Sequence, residues 1–379
     1  MDIKELRQEI DKTDDAIKEL FIKRMKTACK IAAYKKENGV PVLNKSRERE
    51  IISRVTAGLD EDLAGYTKIL YTTLFDLSRS YQSKLLFSDS KLKDDINAAL
   101  EHTPKIFPKG AVIACQGTEG AYSQLACDKL FSRPQIIYMS SFEGVINAVE
   151  KNLCTYGILP IENNLHGSVT DVYDLMKKSN FYIVRSIRLR VSHVLLSRKK
   201  TDISKITEIY SHEQAIGQCS EFLAKYPNIK INICENTAVA AKFVSESERD
   251  DIAAISSENC AELYGLYTVC DGISNSDNNY TRFICISKKL EIYPGANKIS
   301  MMFALSHRPG SLYEILAKFS SLGLNMTKLE SRPIPGKDFE FMFYLDFDAS
   351  VYSEEVINLI SELENSPEQF TFLGSYCEV

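Results

Sequence analysis

Ile3-Lys4-Glu5-Leu6-Arg7-Gln8-Glu9-Ile10-Asp11-Lys12-Thr13 opens a pattern that decides how the first part of the chain folds. Apolar or small residues recur at Ile3, Leu6, Ile10, Thr13, Ile17 and Leu20, then at Thr27, Ile31 and Tyr34. The alternating three-four spacing runs to a stop at Asn38-Gly39-Val40-Pro41. It predicts one helix of roughly 35 residues, about 50 Å long. Such a helix cannot bury its stripe inside a small domain, so it must pair with a second copy, and an intertwined dimer is expected. A second helix starts near Ser46 and a third covers Leu63–Phe87. Residues 1–88 therefore read as helices only.

Outward from this stretch the pattern changes. Residues 88–109 read as a charged connector with Pro104 and Pro108. From Ala111 to Ser287, short apolar runs such as Ala111-Val112-Ile113-Ala114, Tyr156-Gly157-Ile158-Leu159 and Ile252-Ala253-Ala254-Ile255 alternate with helical stretches, the signature of an α/β domain. A second connector, Glu291 to Lys298, carries Pro294-Gly295. Beyond it the order is strand (Ile299–Leu305), helix (Leu312–Leu322), strands (Met326–Ser331, Phe339–Phe347), helix (Glu354–Leu363) and strand (Phe370–Tyr376), the βαββαβ ferredoxin-like layout. The expected architecture is multidomain: residues 1–88 all-helical, residues 110–287 two-lobed α/β, residues 298–379 ferredoxin-like.

Composition bounds the function. Of 379 residues 44% are hydrophobic and 26% charged, enough apolar material for several soluble cores. No apolar run is long enough to span a bilayer, and the amphipathic start offers no signal core, so a cytoplasmic protein is expected. The ten cysteines form no CxxC pair and read as small buried hydrophobes in a reducing compartment. A net charge of −5 argues against a nucleic-acid partner. It is uneven: residues 1–88 carry +3 and the remainder −8. A locally basic helical segment suits a small anionic ligand.

Arg24 and Lys35 are eleven residues apart on the first helix, so they differ by only about 20° around its axis. They share a face, and their long side chains can converge on one ligand. Arg7 is roughly 100° off that face and far along the axis, so it serves such a pocket only from an antiparallel partner. Arg24 also falls on the apolar seam after Ile17 and Leu20, where a cation needs an anionic partner. Ser78 and Gln82 share a face of the third helix, and Arg47 and Glu48 open the second. Together Leu6-Arg7-x-x-Ile10, Lys23-Arg24, Lys35, Pro41-Val42, Arg47-Glu48-Arg49-Glu50 and Ser78-x-x-x-Gln82 resemble the all-helical class of chorismate mutases. The resemblance implies that Arg7 (from the partner chain), Arg24 and Arg47 hold the two carboxylates of chorismate. Lys35 and Gln82 approach the ether oxygen, and Glu48 holds the ring hydroxyl. Asn44, where the family often has aspartate, and Ser78 join the substrate contacts. Chorismate rearranges in one pericyclic step, so the enzyme needs only to select the compact conformer and stabilise charge on the ether oxygen.

In the α/β zone, four polar clusters sit at strand ends, where such folds place their sites. Gly117-Thr118-Glu119-Gly120-Ala121-Tyr122-Ser123 opens a helix and offers N–H groups to an anion. The others are Pro160-Ile161-Glu162-Asn163-Asn164 with Gly167-Ser168-Val169, Ser211-His212-x-Gln214-Ala215-x-x-Gln218-Cys219, and Asn279-Tyr280-Thr281-Arg282-Phe283. In this order they resemble prephenate dehydratase over residues 110–287, a fold of two α/β lobes, periplasmic-binding-protein-like, with the site in the cleft. The resemblance implies Thr281 as the main catalytic residue and Glu162, Asn163, Ser211 and Gln218 in the pocket, with Ser123 among the substrate contacts. Loss of CO₂ and hydroxide from prephenate needs a donor at the leaving hydroxyl. Thr281 is expected there, with Glu162 the proton source if burial raises its pKa; the other reading of Glu162 is an ion pair across the lobes. His212 reads as structural. No metal or organic cofactor is expected.

Arg308-Pro309-Gly310-Ser311-Leu312-Tyr313 turns from a strand into a helix, and Glu330-Ser331-Arg332-Pro333 ends the next strand. With the βαββαβ order they resemble the phenylalanine-binding regulatory (ACT) domain over residues 298–379. This implies that phenylalanine is enclosed between Gly310, Ser311 and Leu312 and the Glu330, Ser331, Arg332 and Pro333 stretch of a neighbouring chain. The other reading is a domain serving only as a dimer contact. The expected ligands are thus chorismate, prephenate and L-phenylalanine, and the expected assembly is a homodimer or higher homo-oligomer. Deleting residues 298–379 is expected to leave activity without inhibition, provided the two lobes still fold. Two competing functions are a dehydratase acting on arogenate and a two-lobed small-molecule binding protein.

Overall fold

A computed structural model describes residues 2–38, 44–86, 90–305, 307, 309–334, 336, 340–364 and 369–379. The stop at Gly39-Val40-Pro41, the Pro41-Val42 step and Arg308 lie outside the described residues. Helix α1 spans Ile3–Glu37, 35 residues, as its spacing predicts. The Glu5 carboxylate accepts from the Asp2 N–H at 3.0 Å, which closes its first turn. Helices α2 (Lys45–Thr56) and α3 (Glu61–Leu86) follow. Ala28 and Ala32 of α1 and Phe75 of α3 are buried, so small residues let the helices approach. Ile3, Ile10, Ile17 and Leu20 of α1 remain more than half exposed.

The expected first connector contains a further helix, α4 (Lys91–His102). Leu92, Ile96, Ala99 and Leu100 recur at helical spacing within it, and Ile96 and Ala99 are buried. The Ser90 hydroxyl accepts from the Lys93 N–H at 3.1 Å and caps it. The density of charge in this segment masked an amphipathic stripe.

Strands and helices then alternate: β1 (Val112–Gln116), α5 (Tyr122–Leu130), β2 (Gln135–Met139), α6 (Phe142–Glu150), β3 (Tyr156–Asn163), β4 (Gly167–Ser168), α7 (Thr170–Met176) and β5 (Tyr182–Arg190). The chain crosses into a second lobe: β6 (Val194–Ser197), β7 (Glu208–Ser211), α8 (Glu213–Gln218), α9 (Ser220–Leu223), β8 (Lys230–Ile233), α10 (Thr237–Glu246), β9 (Ile252–Ser256), α11 (Asn259–Tyr264) and β10 (Tyr267–Cys270). It returns to the first lobe with β11 (Tyr280–Ser287). The first sheet has the order β2-β1-β3-β11-β5 and the second β10-β6-β9-β7-β8. Two crossovers join the lobes, and they are bonded where Val191 N–H donates to Asn279 O at 2.7 Å.

The C-terminal segment comprises β12 (Lys298–Leu305), α12 (Ser311–Ser321), β13 (Asn325–Pro333), β14 (Phe341–Asp348), α13 (Glu354–Glu364) and β15 (Gln369–Tyr376). Its sheet runs β13-β14-β12-β15. Met302, Ala304, Met342, Tyr344, Leu373 and Tyr376 belong to one core with Leu159, Ile161 and Tyr173 of the first lobe. The approach is close at Gly374, whose φ is +140°: a Cβ there would lie 2.3 Å from Ile183 O. Ser186 of β5 donates its N–H to Cys377 O at 3.1 Å and accepts from Val379 N–H at 2.9 Å, so the residues after β15 pair with the edge of the first sheet. The second expected connector is also packed: Ile292, Tyr293 and Ala296 are buried.

Two compact units result. One is Met1–Asp95, Ser306–Gly323 and Tyr352–Gln369, in which α13 touches α3 and the Ser90 and Ser361 hydroxyls lie 3.0 Å apart. The other is Ile96–Leu305, Leu324–Val351 and Phe370–Val379, which holds all three sheets. Among the described residues no helix is long and apolar enough to cross a membrane.

Candidate active sites

A cavity of about 530 Å³ opens between the first three helices. Arg24, Lys35, Asn44, Arg47, Glu48, Ser78 and Gln82 all line it, together with Leu20, Ala28, Ile31 and Phe75. Arg7 is not among its lining residues, consistent with its offset along α1. Arg24 Nη1 donates to Leu74 O at 3.1 Å and to the Ser78 hydroxyl, and the guanidinium lies 5.7 Å from the centre of the Phe75 ring. Burial draws its pKa below the ordinary guanidinium value, with Tyr71 opposing. No acidic residue pairs with Arg24 among the described residues. A half-buried cation without a counter-ion has the charge to attract an anionic ligand.

The same geometry revises two assignments. Ser78 accepts from Arg24 and donates to Leu74 O at 2.7 Å, so its hydroxyl supports the arginine rather than standing free for substrate. The Asn44 carbonyl accepts from Arg47 N–H at 3.0 Å as the cap of α2, leaving only its amide N–H groups toward the cavity. Arg79, which sequence reading missed, binds both Glu48 and Asp76 and so fixes the Glu48 carboxylate. Arg47 is held by Glu50 at 2.5 Å. Gln82 is 8% exposed and its buried Oε1 has no partner among the described residues.

In the α/β unit the register of β3 and β11 sets Thr281 opposite Asn163 and Arg282 opposite Glu162. Asn163 Oδ1 accepts from the N–H groups of Leu165 at 2.9 Å and His166 at 3.0 Å. Its Nδ2 is thereby fixed as donor, to Asn279 Oδ1 at 2.7 Å and Thr281 Oγ at 3.0 Å. Thr281 Oγ accepts from Asn163, so its own proton is left to donate elsewhere. Asn279, which opens the fourth polar cluster but carries no assigned role from sequence, is 1% exposed and its Nδ2 has no partner among the described residues. Asn164 only ties the strand end, to Asn278 O and Tyr280 N–H.

On the second lobe, Gln218 Oε1 lies 2.7 Å from His193 Nε2 at the crossover. The amide oxygen only accepts, so His193 carries its proton on Nε2, and its buried Nδ1 is an unpaired acceptor. Burial lowers the His193 pKa, with Gln218 opposing. Ser211 does not present its hydroxyl as expected: it is fully buried and donates to Ile255 O at 2.7 Å, which joins β7 to β9. Ser123 is 6% exposed in the first turn of α5. His212 caps α8 by accepting from Gln214 N–H at 3.3 Å, a structural part as read.

Glu162 is a correction. Successive strand residues face opposite sides, so Glu162 and Arg282 lie on the face turned to the C-terminal sheet, away from Asn163 and Thr281. Arg282 is 4% exposed, and its Nη1 donates to Glu162 Oε1 at 3.1 Å and Asp346 Oδ2 at 2.6 Å. Its Nη2 donates to the Tyr376 hydroxyl at 2.7 Å, and its Nε lies 3.1 Å from Glu378. Glu162 Oε2 is 3.0 Å from Lys328 Nζ. Burial alone would raise the Glu162 pKa, but Lys328 and Arg282 outweigh it and hold the group below the ordinary value. It is a fixed carboxylate, not a proton source.

At the candidate sensor, Gly310 caps α12 with φ +86°, and Ser311 and Leu312 begin the helix. Alternation splits the Glu330–Pro333 stretch. Glu330 accepts from the Ser168 hydroxyl at 2.6 Å, and Arg332 grips Asp174 at 2.7 and 3.2 Å. Both side chains, expected around an amino acid, are thus engaged by the first lobe, with Ser331 and Pro333 on the other face.

Comparisons with known proteins agree with this layout. The family model for Prephenate dehydratase matches residues 113–291, and that for Chorismate mutase type II matches residues 6–83. The bifunctional chorismate mutase/prephenate dehydratase of Escherichia coli K12 is 33% identical over 381 residues, covering 98% of this chain and 95% of that protein. The arogenate dehydratase/prephenate dehydratase 2, chloroplastic, of Arabidopsis thaliana is 34% identical over 311 residues, covering 79% of this chain and 81% of that protein. The solved prephenate dehydratase of Arthrobacter aurescens in complex with L-Phe has a TM-score of 0.64 at 27% identity, covering 70% of this chain and 89% of that one.

Proposed function

This chain belongs to the bifunctional chorismate mutase/prephenate dehydratase family, and from that premise we propose where its two reactions occur and how they are controlled. The protein rearranges chorismate to prephenate, then removes CO₂ and the ring hydroxyl to give phenylpyruvate, two steps of phenylalanine biosynthesis.

The mutase works in the helical cavity. Arg24 and Arg47 hold the carboxylates of chorismate, with Arg7 of a second copy closing the site. Lys35 and Gln82 meet the ether oxygen as charge develops there, and Glu48, steadied by Arg79, takes the ring hydroxyl. Intertwined dimerisation is supported by the exposed apolar stripe of α1, which a second α1 covers.

The dehydratase centres on Thr281. The observation that carries this reading is the fixed polarity of the Asn163 amide, which leaves the Thr281 proton for the leaving hydroxyl. Gln218 and Ser123 contribute from the surrounding polar ends. Residues 298–379 act as an ACT sensor of L-phenylalanine, supported by their strand and helix order and by the relative solved with L-Phe. Domain limits of 1–88, 110–287 and 298–379 follow from this division of labour.

The test is a coupled assay on the full chain. Chorismate is expected to yield phenylpyruvate, and phenylalanine to suppress the second step more than the first. Parallel assays with prephenate and arogenate set substrate preference. Failure to bind phenylalanine in calorimetry at millimolar ligand would return residues 298–379 to a purely structural part.

A further inference from the structure

We propose that Lys328, contributed by the C-terminal sheet, is a positioning residue of the dehydratase: with Arg282 it clamps Glu162 and thereby holds the Asn163–Thr281 pair in register. The inference rests on the reading of Thr281 as the donor to the leaving hydroxyl.

The geometry begins at an irregularity. The pairing of β3 with β11 shifts register between Arg282 and Phe283, where Arg282 pairs with Glu162 but Phe283 with Pro160. Such a bulge weakens the ladder locally. Beyond it β3 and β11 keep only the Glu162–Arg282 and Asn163–Thr281 pairs with each other, while β4 and β5 pair with their outer edges, so the contact between the two active strands themselves is short. The side-chain pair Arg282–Glu162 crosses the two strands at this point and fastens them from the opposite face. Arg282 is also drawn toward Asp346, Tyr376 and Glu378. Lys328 supplies the second cation that keeps Glu162 ionised and in place.

Lys328 is itself held. Its Nζ lies 2.8 Å from the Ser168 hydroxyl, 3.6 Å from Glu330, and 5.9 Å from the centre of the Tyr173 ring. The charged and titratable groups around Glu162 are therefore Arg282 from β11, Lys328 and Glu330 from β13, and Tyr173 from α7, with Asp346, Tyr376 and Glu378 behind Arg282. Lys328 stands two residues before Glu330 on the same strand face, so displacement of β13 by an effector moves Lys328 directly. The strand that carries the sensor stretch thus also sets the order of the catalytic strand end.

The sign of the pH effect follows. Lys328 favours the charged form of Glu162, so removing it makes that carboxylate protonate at higher pH. A protonated Glu162 loosens the clamp. Lys328→Met, assayed on prephenate in the full chain, is expected to move the acid limb of the kcat profile to higher pH and to lower the plateau by between ~10- and ~100-fold, the scale of a misplaced catalytic group. Lys328→Arg should restore the parent profile, and mutase activity should be unchanged in both. Glu162→Gln should lower the plateau and abolish the acid limb that shifts. A parent-like rate and profile in Lys328→Met, or a parent-like rate in Glu162→Gln, overturns the proposal. A lowered rate in Lys328→Met with an unshifted acid limb also overturns it, because that is the mark of a structural contact alone. Thr281→Ala is the separate control: parent activity there defeats the donor assignment, whatever the Lys328 variants do.

Discussion

Asn163 and Thr281 face each other across β3 and β11, and the amide of Asn163 donates to the threonine oxygen at 3.0 Å. The direction of that bond is forced by two backbone N–H groups on the other end of the amide. It makes the threonine oxygen an acceptor on that side and leaves its own proton to donate elsewhere.

Thr281→Ala should therefore let prephenate accumulate, with the dehydratase step slowed by about 10²-fold or more and the mutase intact. Asn163→Asp is the sharper variant. A carboxylate cannot donate, so Thr281 must turn its proton toward the new side chain and away from substrate. Loss comparable to Thr281→Ala is expected, at unchanged circular dichroism; a variant near the parent rate contradicts the polarity argument.

Arg24→Ala should abolish mutase activity while activity on supplied prephenate survives, since the arginine lies in a cavity of the helical unit. Mixed with Arg7→Ala protein under subunit exchange, it should recover part of the mutase activity. Verified heterodimers without recovery would count against a site shared by two chains.

Asp174 is held down to about 2, first by the hydrogen bond from Arg332 and then by Lys177, against the opposing effect of burial. A depressed carboxyl stabilises the fold above its unfolded value of roughly 4 and loses that contribution as pH falls toward 2. Asp174→Asn should lower the thermal midpoint at pH 7 by at most about 2 °C, because the pair is partly exposed. Melts taken from pH 7 downward should show the gap closing below about pH 4. A gap independent of pH would mean that charge is not what the pair contributes.

Gly310 adopts φ +86°, so a side chain there strains the turn, although a Cβ would have no described heavy atom within 4 Å. Gly310→Val should raise the phenylalanine needed for half-inhibition by about tenfold without altering uninhibited rates. Unchanged inhibition would remove the helix start from the effector site.

Deletion of residues 298–379 is no longer expected to leave a free-running dehydratase. Met302, Ala304, Met342, Tyr344, Leu373 and Tyr376 share one core with Leu159, Ile161 and Tyr173 of the first lobe, and removing them bares that apolar face as Arg282 loses its contacts to Asp346, Tyr376 and Glu378. Loss of folded dehydratase, measured by prephenate turnover and light scattering, is expected; an active, soluble truncate would contradict it.

The long first helix was legible because its spacing is uninterrupted, and the cavity residues because helical geometry alone puts Arg24 over Lys35. The strand-end clusters were legible as polar punctuation after apolar runs. What sequence could not give was polarity and partnership. From the sequence Glu162 is a proton source only if burial raises its pKa, but its neighbours in space are Arg282 and Lys328, the latter far along the chain. Ser211 looked like a ligand contact, yet its hydroxyl joins two strands. Helix α4 was hidden because charge obscured the stripe of Ile96 and Ala99. Lys328 did carry a signal: strand alternation puts it on the face of Glu330.

The seating of Arg282 among C-terminal residues has a consequence for inheritance. On the proposed reading of residues 298–379 as the sensor, a frameshift or stop codon that sheds them also strips the catalytic lobe of the sheet packed on it, so such a change is expected to cost the enzyme along with its control. Escape must come through rare missense changes that blunt the effector and spare the packing of the sheet.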